Sequence, residues 1–458
     1  MLTIFIGLLL IFAAFSGWEN FQNQHEMQEK FQIQSRKDWL SNPNKHPHRM
    51  AHYGNFAFRP KAPLSVFDFG MESFFGNSIY LEAHKQNTVN FSEAGFSTGI
   101  LRFGEISIAM ILQVLLPLLI FFLGFASISS ERENGTLKIL LSQGLSWRQL
   151  LVGKSYGLIG VMLSLFIPLV IGVCLLWVIV QKNDITLDES LRLLLIILSY
   201  FIYLSIFCVI AVLISAISKT SKTALTSLIG LWLMLTIVLP RASQALGKAI
   251  YATPSKVKFE SGIDEDIGKV GDSHNPNDPY FKSLKGSLLT TYGVDSVQKL
   301  PFNYGGFQMK IGEKISANIY QKHQQELLVI YDQQNSFSKA MAFFNPFMAI
   351  KNLSMALAKT DFASFVDFQQ QAEAYRYEMA QKMNDLQIKF ISNKSKTSAD
   401  KTQIIDKKHW EDLDDFNYKP SGIWQVFKNE YISIIAFLFW IGLLFFFIGS
   451  LSKTLKAI

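Results

Sequence analysis

Long apolar runs alternate with polar stretches along this chain, and the runs have membrane length. A hydrocarbon core about 30 Å thick is crossed by roughly 17–25 apolar residues of α-helix. Six segments meet that criterion, at residues 1–18, 105–129, 155–181, 191–217, 223–240 and 431–451, and they are read as transmembrane helices TM1 to TM6. Two long polar segments interrupt them, 19–104 and 241–428. In the first, "NPNKHPHRMAHYGNFAFRPKAPLSVFDFG" is punctuated by Pro, Gly and aromatic residues, which predicts loops and short elements. In the second, "QMKIGEKISANIYQKHQQELLVIYDQQNSFSKAMAFF" and "FASFVDFQQQAEAYRYEMAQKMNDLQIKFI" carry apolar residues at three- and four-residue spacing, the period of amphipathic helices. Between them "NPFMAIKNLSMALAKTDF" holds Pro346 and predicts a break followed by a shorter helix. "SNKSKTSADKTQ", residues 392–403, reads as a flexible connector, and "DSHNPNDP", from Asp272, as a turn-rich loop without the ligand spacing of a calcium loop. The fold class that follows is mainly α: a polytopic membrane protein with about six transmembrane helices and a largely helical extracytoplasmic domain built from two insertions.

Composition and charge orient that picture. Charged residues are 17% of the 458 and hydrophobic ones 49%, against about a quarter charged in soluble domains. Lys and Arg close to span ends mark the cytoplasmic side. Arg132, Lys138, Arg148 and Lys154 lie between TM2 and TM3, Lys219 and Lys222 between TM4 and TM5, and Lys453 and Lys456 after TM6. With six spans these sets fall on one side, so the loop at 130–154, the tail at 452–458 and both termini are expected in the cytoplasm and the two long segments outside. TM1 starts at Met1 without a basic flank, and "AAFSGW" is a poor cleavage site. The segment is read as an N-terminal anchor whose cytoplasmic lead-in is absent from this sequence, rather than as a cleaved signal peptide. The charge of +7 and pI of about 9.1 form no basic stripe, so the lipid bilayer is the expected partner and nucleic acid is not. Cys174 and Cys208 both lie in spans, which leaves the aqueous segments without disulfides or cysteine zinc ligands.

Candidate chemistry is sparse. His46, His48 and His52 cluster, with His84 further on in "YLEAHKQN"; the sharp reading is a metal site built from the imidazoles of His46, His48 and His52, but no carboxylate or Cys partner is spaced beside them, so they are read as surface and packing histidines and no metal is expected. No Ser-His-Asp, paired-carboxylate or Cys-His spacing selects a catalytic set, so neither a catalytic residue nor an enzymatic activity is assigned. Glu105 and Gln113, at the outer end of TM2 and inside it, are the polar residues that would line a pathway, an interhelical hydrogen bond being the alternative for Gln113. Pro117 and Pro168 are read as hinges or static kinks. Gly153-Lys154-Ser155 ends like a phosphate-binding loop, but Arg148 stands where the first glycine of Gly-x-x-x-x-Gly-Lys-Ser is needed, and the residues before it have helical spacing. The chain makes no ATPase site of its own, and no cofactor is expected in it.

The loop at 130–154 has a logic of its own. Glu131 marks the exit from the membrane, Gly135 permits a break, and "TLKILLSQ" supplies an apolar face for a short helix. Gly144 ends that helix and Ser146 is placed to cap the next. In full, "SSERENGTLKILLSQGLSWRQLLVGKSYG" resembles the corresponding loop of ABC-2 type transporter permeases, in which Glu-Arg-Glu-x-Gly-Thr-Leu follows the second span and Gly-Lys opens the third. The matching residues are Glu131, Arg132, Glu133, Gly135, Thr136, Leu137, Gly153 and Lys154. "HPHRMAHYGNFAFRP", "YLEAHKQN" and "LSMALAKTDF" extend the likeness to a bacterial subgroup with two large extracytoplasmic segments of unassigned function, over nearly the whole chain. One departure is the missing amphipathic helix that such permeases carry before the first span.

The resemblance implies that this loop is the coupling region contacted by a separate ABC ATPase subunit, a dimer that binds the ATP and Mg. It also implies a second permease copy or a paralogous permease beside this one, in the bacterial cytoplasmic (inner) membrane, with export as the expected direction. The alternative is an ATP-driven mechanotransmitter that works on an extracytoplasmic partner without transport through its spans. Nothing in the spans encodes a substrate.

Overall fold

The computed structural model describes residues 2–72, 74–84, 86, 106–181, 185–393 and 403–455. Glu105, residues 394–402 of the connector and Lys456 lie outside the described residues. In chain order the helices are α1 (Leu2–Leu40), α2 (Pro47–Tyr53), α3 (residues 108–124), α4 (Ser129–Glu133), α5 (Thr136–Ser142), α6 (Trp147–Gln181), α7 (Leu187–Ile217) and α8 (Ser221–Ile250). They continue as α9 (Lys256–Val270), α10 (Pro279–Tyr292), α11 (Tyr304–Ala340), α12 (Pro346–Leu357), α13 (Phe362–Phe390), α14 (Lys408–Glu411) and α15 (Ile423–Thr454). Strands β1 (Asn55–Phe58) and β2 (Ser78–Leu81) pair antiparallel, with Asn55 opposite Leu81.

Among the described residues, six helical segments are long and apolar enough to cross a membrane: α1, α3 with α4, α6, α7, α8 and α15. The chain is a mainly α, multi-pass membrane protein. Within the apolar windows, 61% of the α3 segment and 56% of α7 are buried, against 22–28% for the other four. The second and fourth spans are therefore the centre of the bundle, and the others turn most of their apolar surface outward, where lipid can meet it.

Two prolines shape the central layer. Proline has no N–H for a carbonyl one turn earlier. In α3 the turn before Pro117 is a π-helix, Ile111–Leu115, and the Gln113 carbonyl accepts the Tyr203 hydroxyl of α7 at 2.6 Å. In α8 the turn before Pro240 is again a π-helix, Met234–Val238, and the Leu235 carbonyl accepts Asn345 Nδ2 at 2.7 Å. A π turn opens the helix ladder, and at each of these a side chain from another element closes the opening. Pro168, by contrast, sits inside the single continuous helix α6.

The two polar segments fold into one domain. Trp39, Met50, Ala57, Ile79 and Leu81 from the first share a core with Phe368, Met379, Met383, Trp410 and Phe416 from the second. Trp39 Nε1 donates to the Trp410 carbonyl at 2.8 Å, and Arg36 donates to the Leu413 and Glu411 carbonyls at 2.8 and 2.9 Å. The long helices α11 and α13 run antiparallel, Lys310 meeting Asp385 near one end and Tyr331 meeting Phe362 near the other.

Two features depart from the sequence reading. The first apolar run is read as ending at residue 18 and no element is assigned to residues 19–41, yet α1 continues unbroken to Leu40. Residues 19–40 contain no Gly or Pro, so nothing stops a helix already nucleated in the apolar run. The second departure is α12, assigned by sequence to the second polar segment. Its Phe347, Met348, Ile350, Leu353 and Leu357 belong to the same core as the spans. Apolar residues go round this helix instead of forming one stripe, which is the mark of a buried helix.

Candidate functional site

The residues singled out by sequence gather where α3 leaves the bundle. The backbone N–H groups of Ile128 and Ser129 both donate to Ser215 Oγ at 3.0 Å, and Ser129 Oγ donates to Ser221 Oγ at 3.1 Å. The start of α4 is thereby fixed to the end of α7 and the start of α8.

The three charges that follow each grip a different helix. Arg132 donates to the Ala216 carbonyl at 2.7 Å and to the Ser218 carbonyl, at the C-terminal end of α7. Carbonyls there lack helix partners, and the helix dipole favours a cation. Glu133 accepts from the hydroxyl of Ser221, the first residue of α8, where the dipole favours an anion. Glu131 accepts from Lys154 Nζ of α6 at 3.1 Å and from the hydroxyl of Thr136, the first residue of α5.

Gly135 then turns the chain with φ of 78°, a left-handed conformation that a side chain would strain. In the short helix α5, Leu137 is fully buried in the bundle core, while Lys138, Ile139 and Ser142, with the capping Gln143, face solvent. Gly144 closes the helix with φ of 89°. Ser146 Oγ accepts the Gln149 N–H at 3.2 Å and Gln149 Oε1 accepts the Ser146 N–H at 2.9 Å, a reciprocal cap that starts α6 at Trp147, within the loop rather than at the membrane. The loop is thus a solvent-facing helix on a buried pin, joined by an ion pair to α6 and by hydrogen bonds to α7 and α8.

Gly153, Lys154 and Ser155 lie inside α6, where the Ser155 hydroxyl donates to the Leu151 carbonyl at 2.8 Å. Amides in a helix interior are bonded along the helix and cannot curl around a phosphate. A Cβ added at Gly153 would meet no atom within 4 Å, so packing within this chain does not demand glycine there.

Of the expected site residues, Glu131, Arg132, Glu133, Thr136, Leu137 and Lys154 form one assembly at this end of the bundle. Gln113 is elsewhere: its Nε2 donates to the Tyr200 hydroxyl at 2.7 Å, and that hydroxyl pairs with Ser354 Oγ at 2.9 Å, which donates in turn to Asp68. This buried relay joins α3, α7, α12 and the first polar segment, the interhelical alternative for Gln113. Ser215 and Ser221 were missed by sequence reasoning, because a serine at a helix end has no pattern that names its partner. Of the histidines, His48, His52 and His84 converge. His46 stands apart from that group as the N-cap of α2, its ring centroid 6.5 Å from that of His48.

Residues 76–246 match the family described as ABC-2 family transporter protein, and residues 256–419 match a family described as a domain of unknown function (DUF3526). No curated protein and no solved structure matches the chain.

Proposed function

The membrane region of this chain is that of an ABC-2 type permease, and from that premise we propose that it is the membrane-spanning subunit of an ATP-binding-cassette exporter, driven by a separate ATPase subunit that docks on the loop at 130–154 from the cytoplasm. The observation that carries the proposal is the construction of the loop. A push on the exposed residues Lys138 and Ile139 of α5, and on Gln143 that caps it, reaches α7 through Arg132, α8 through Glu133, and α6 through Glu131 and Lys154. ATP and Mg reside in the ATPase dimer, whose closure displaces α5, and a second permease, identical or paralogous, completes the membrane path. The sidedness rests on the positive charges that flank this loop and the turn at 218–220.

The test is Glu133→Lys, which sets a cation against the start of α8. Co-purification with the cognate ATPase and ATP hydrolysis by the reconstituted pair should both fall sharply. Unchanged association together with unchanged hydrolysis would refute docking at this loop.

One further observation favours a second reading, mechanical transmission to an extracytoplasmic partner. Helix α1 runs unbroken from its span into the domain core at Trp39, and α12 lies in the core of the bundle. Movement of the spans would be handed to the domain without a flexible joint. Reconstitution in liposomes separates the two readings: ATP-dependent movement of solute supports export, and unmoved solute with ATP-dependent binding of an external partner supports transmission.

A further inference from the structure

A group of histidines on the domain has no place in the transport reading. His48 and His52 stand one turn apart on α2, so their rings leave the same face of that helix. β1 follows α2 directly and pairs with β2, and His84 comes just after β2, which returns it to the same place. One ring nitrogen from each of the three lies within 4.8 Å of the other two.

Two observations point to a ligand there. His48 Nδ1 and His84 Nε2 are buried without a hydrogen-bond partner, which is costly in a folded protein unless something binds them. His84 is also held from behind. Its backbone N–H and its Nδ1 both meet Glu313 Oε2, at 3.1 and 2.9 Å, and Glu313 Oε1 accepts Arg376 Nη1 at 2.7 Å. With the proton on Nδ1 facing Glu313, the lone pair of Nε2 faces the other histidines, the arrangement by which carboxylates orient metal-ligating imidazoles. His84 takes φ of 64° to reach this position, a conformation uncommon outside glycine. Glu313 and Arg376 are both fully buried, so this ion pair fixes the carboxylate that holds His84.

We propose that His48, His52 and His84 bind one divalent ion of the zinc class, with Glu313 as the outer-shell partner of His84 and a fourth position open to solvent beside the exposed His52. Neutral imidazoles suit zinc and its transition-metal neighbours, whereas magnesium and calcium take oxygen ligands. Zn–N lengths of about 2.0–2.1 Å place tetrahedral nitrogens roughly 3.3 Å apart, so binding draws the three together, and His52 on the exposed last turn of α2 has the freedom to move. His46 and His274 are not ligands. His46 Nδ1 accepts the His48 N–H at 3.2 Å, and His274 packs edge-on against His84 with its Nδ1 3.5 Å from Asp272.

The full chain, purified in detergent without a polyhistidine tag and stripped with chelator, is titrated with Zn2+ by calorimetry and with Co2+ by ligand-field absorption. One ion per chain is expected, with Co2+ giving a tetrahedral spectrum and Mg2+ and Ca2+ not competing. Glu313→Gln should weaken binding roughly 10–100-fold, the usual effect of an outer-shell loss, and His84→Ala by more. His52→Ala keeps the domain intact because its ring is exposed, and it should also weaken binding by more than Glu313→Gln does. Binding by folded His52→Ala as tight as by the parent, or binding lost in His46→Ala or His274→Ala, would overturn the assignment, as would the absence of any bound ion.

Discussion

Single side chains complete helix ends throughout this molecule. Arg192, almost fully buried, donates to the Ala356 and Leu357 carbonyls at the end of α12 and to Ser421 at 2.9 Å, while Asp188 accepts the Ile423 N–H at the start of α15 at 2.7 Å. Asp278 does the same for α10: Oδ1 accepts the Phe281 N–H and Oδ2 the Asp272 N–H, both at 3.0 Å. The hydrogen bond from Asp272, followed by that from Phe281, favours the carboxylate over its acid and lowers the Asp278 carboxyl below its ordinary value. A carboxyl depressed in the folded state adds stability above its unfolded value, and that stability is lost as pH falls through the folded value. Asp278→Ala should therefore cost about 1 kcal/mol at neutral pH, with the gap to the parent narrowing as the solution is acidified below the ordinary carboxylate range. Thermal unfolding of both proteins across pH measures this, and a gap that widens in acid would contradict it.

At the scale of elements, the π turns before Pro117 and Pro240 are closed by Tyr203 and Asn345. Tyr203→Phe keeps the ring but strands the Gln113 carbonyl in the bundle core, so it should destabilise the protein by about 1–3 kcal/mol. In a Pro117→Ala background the restored N–H can serve the helix carbonyls, and the same substitution should cost less. A double-mutant cycle of detergent unfolding reads the coupling directly; a Tyr203→Phe cost that is equal in both backgrounds would mean that proline and tyrosine act independently. The pattern separates what was legible in the sequence from what was not. The six spans are signals of contiguous apolar runs, and the break at Gly135, the short helix closed by Gly144 and the cap at Ser146 are carried by residues close together in the chain. Tyr203 lies 90 residues from Gln113, and Asn345 lies 110 from Leu235, and no local pattern pairs them. The histidines show the same boundary: His48 and His52 are close in sequence, but they share a helix face only because α2 forms where loops and short elements are expected, His84 joins them only through the β1–β2 pairing, and Glu313 only through the fold.

At the scale of the molecule, the recognised family regions do not coincide with the physical units. The region of unknown function covers residues 256–419, yet it includes α12, which packs in the bundle core, and it lacks half of its own core. Trp410 is completely buried against residues of the first polar segment, including Trp39, Met50, Ala57 and Leu81. Burial of a large aromatic side chain contributes about 3–5 kcal/mol when its neighbours are present, a large part of the stability of any domain. The fragment 256–419 expressed alone should then fail to melt cooperatively, and Trp410, the sole tryptophan within it, should fluoresce as a solvent-exposed residue. Joining residues 19–86 to residues 241–428 through a flexible linker should restore the buried tryptophan signal and a cooperative transition, because it returns Trp39 and the β1–β2 hairpin to the core. A fragment 256–419 that by itself buries Trp410 and unfolds in one sharp step would show that the second segment folds alone, and that the first is an accessory to it rather than half of its core.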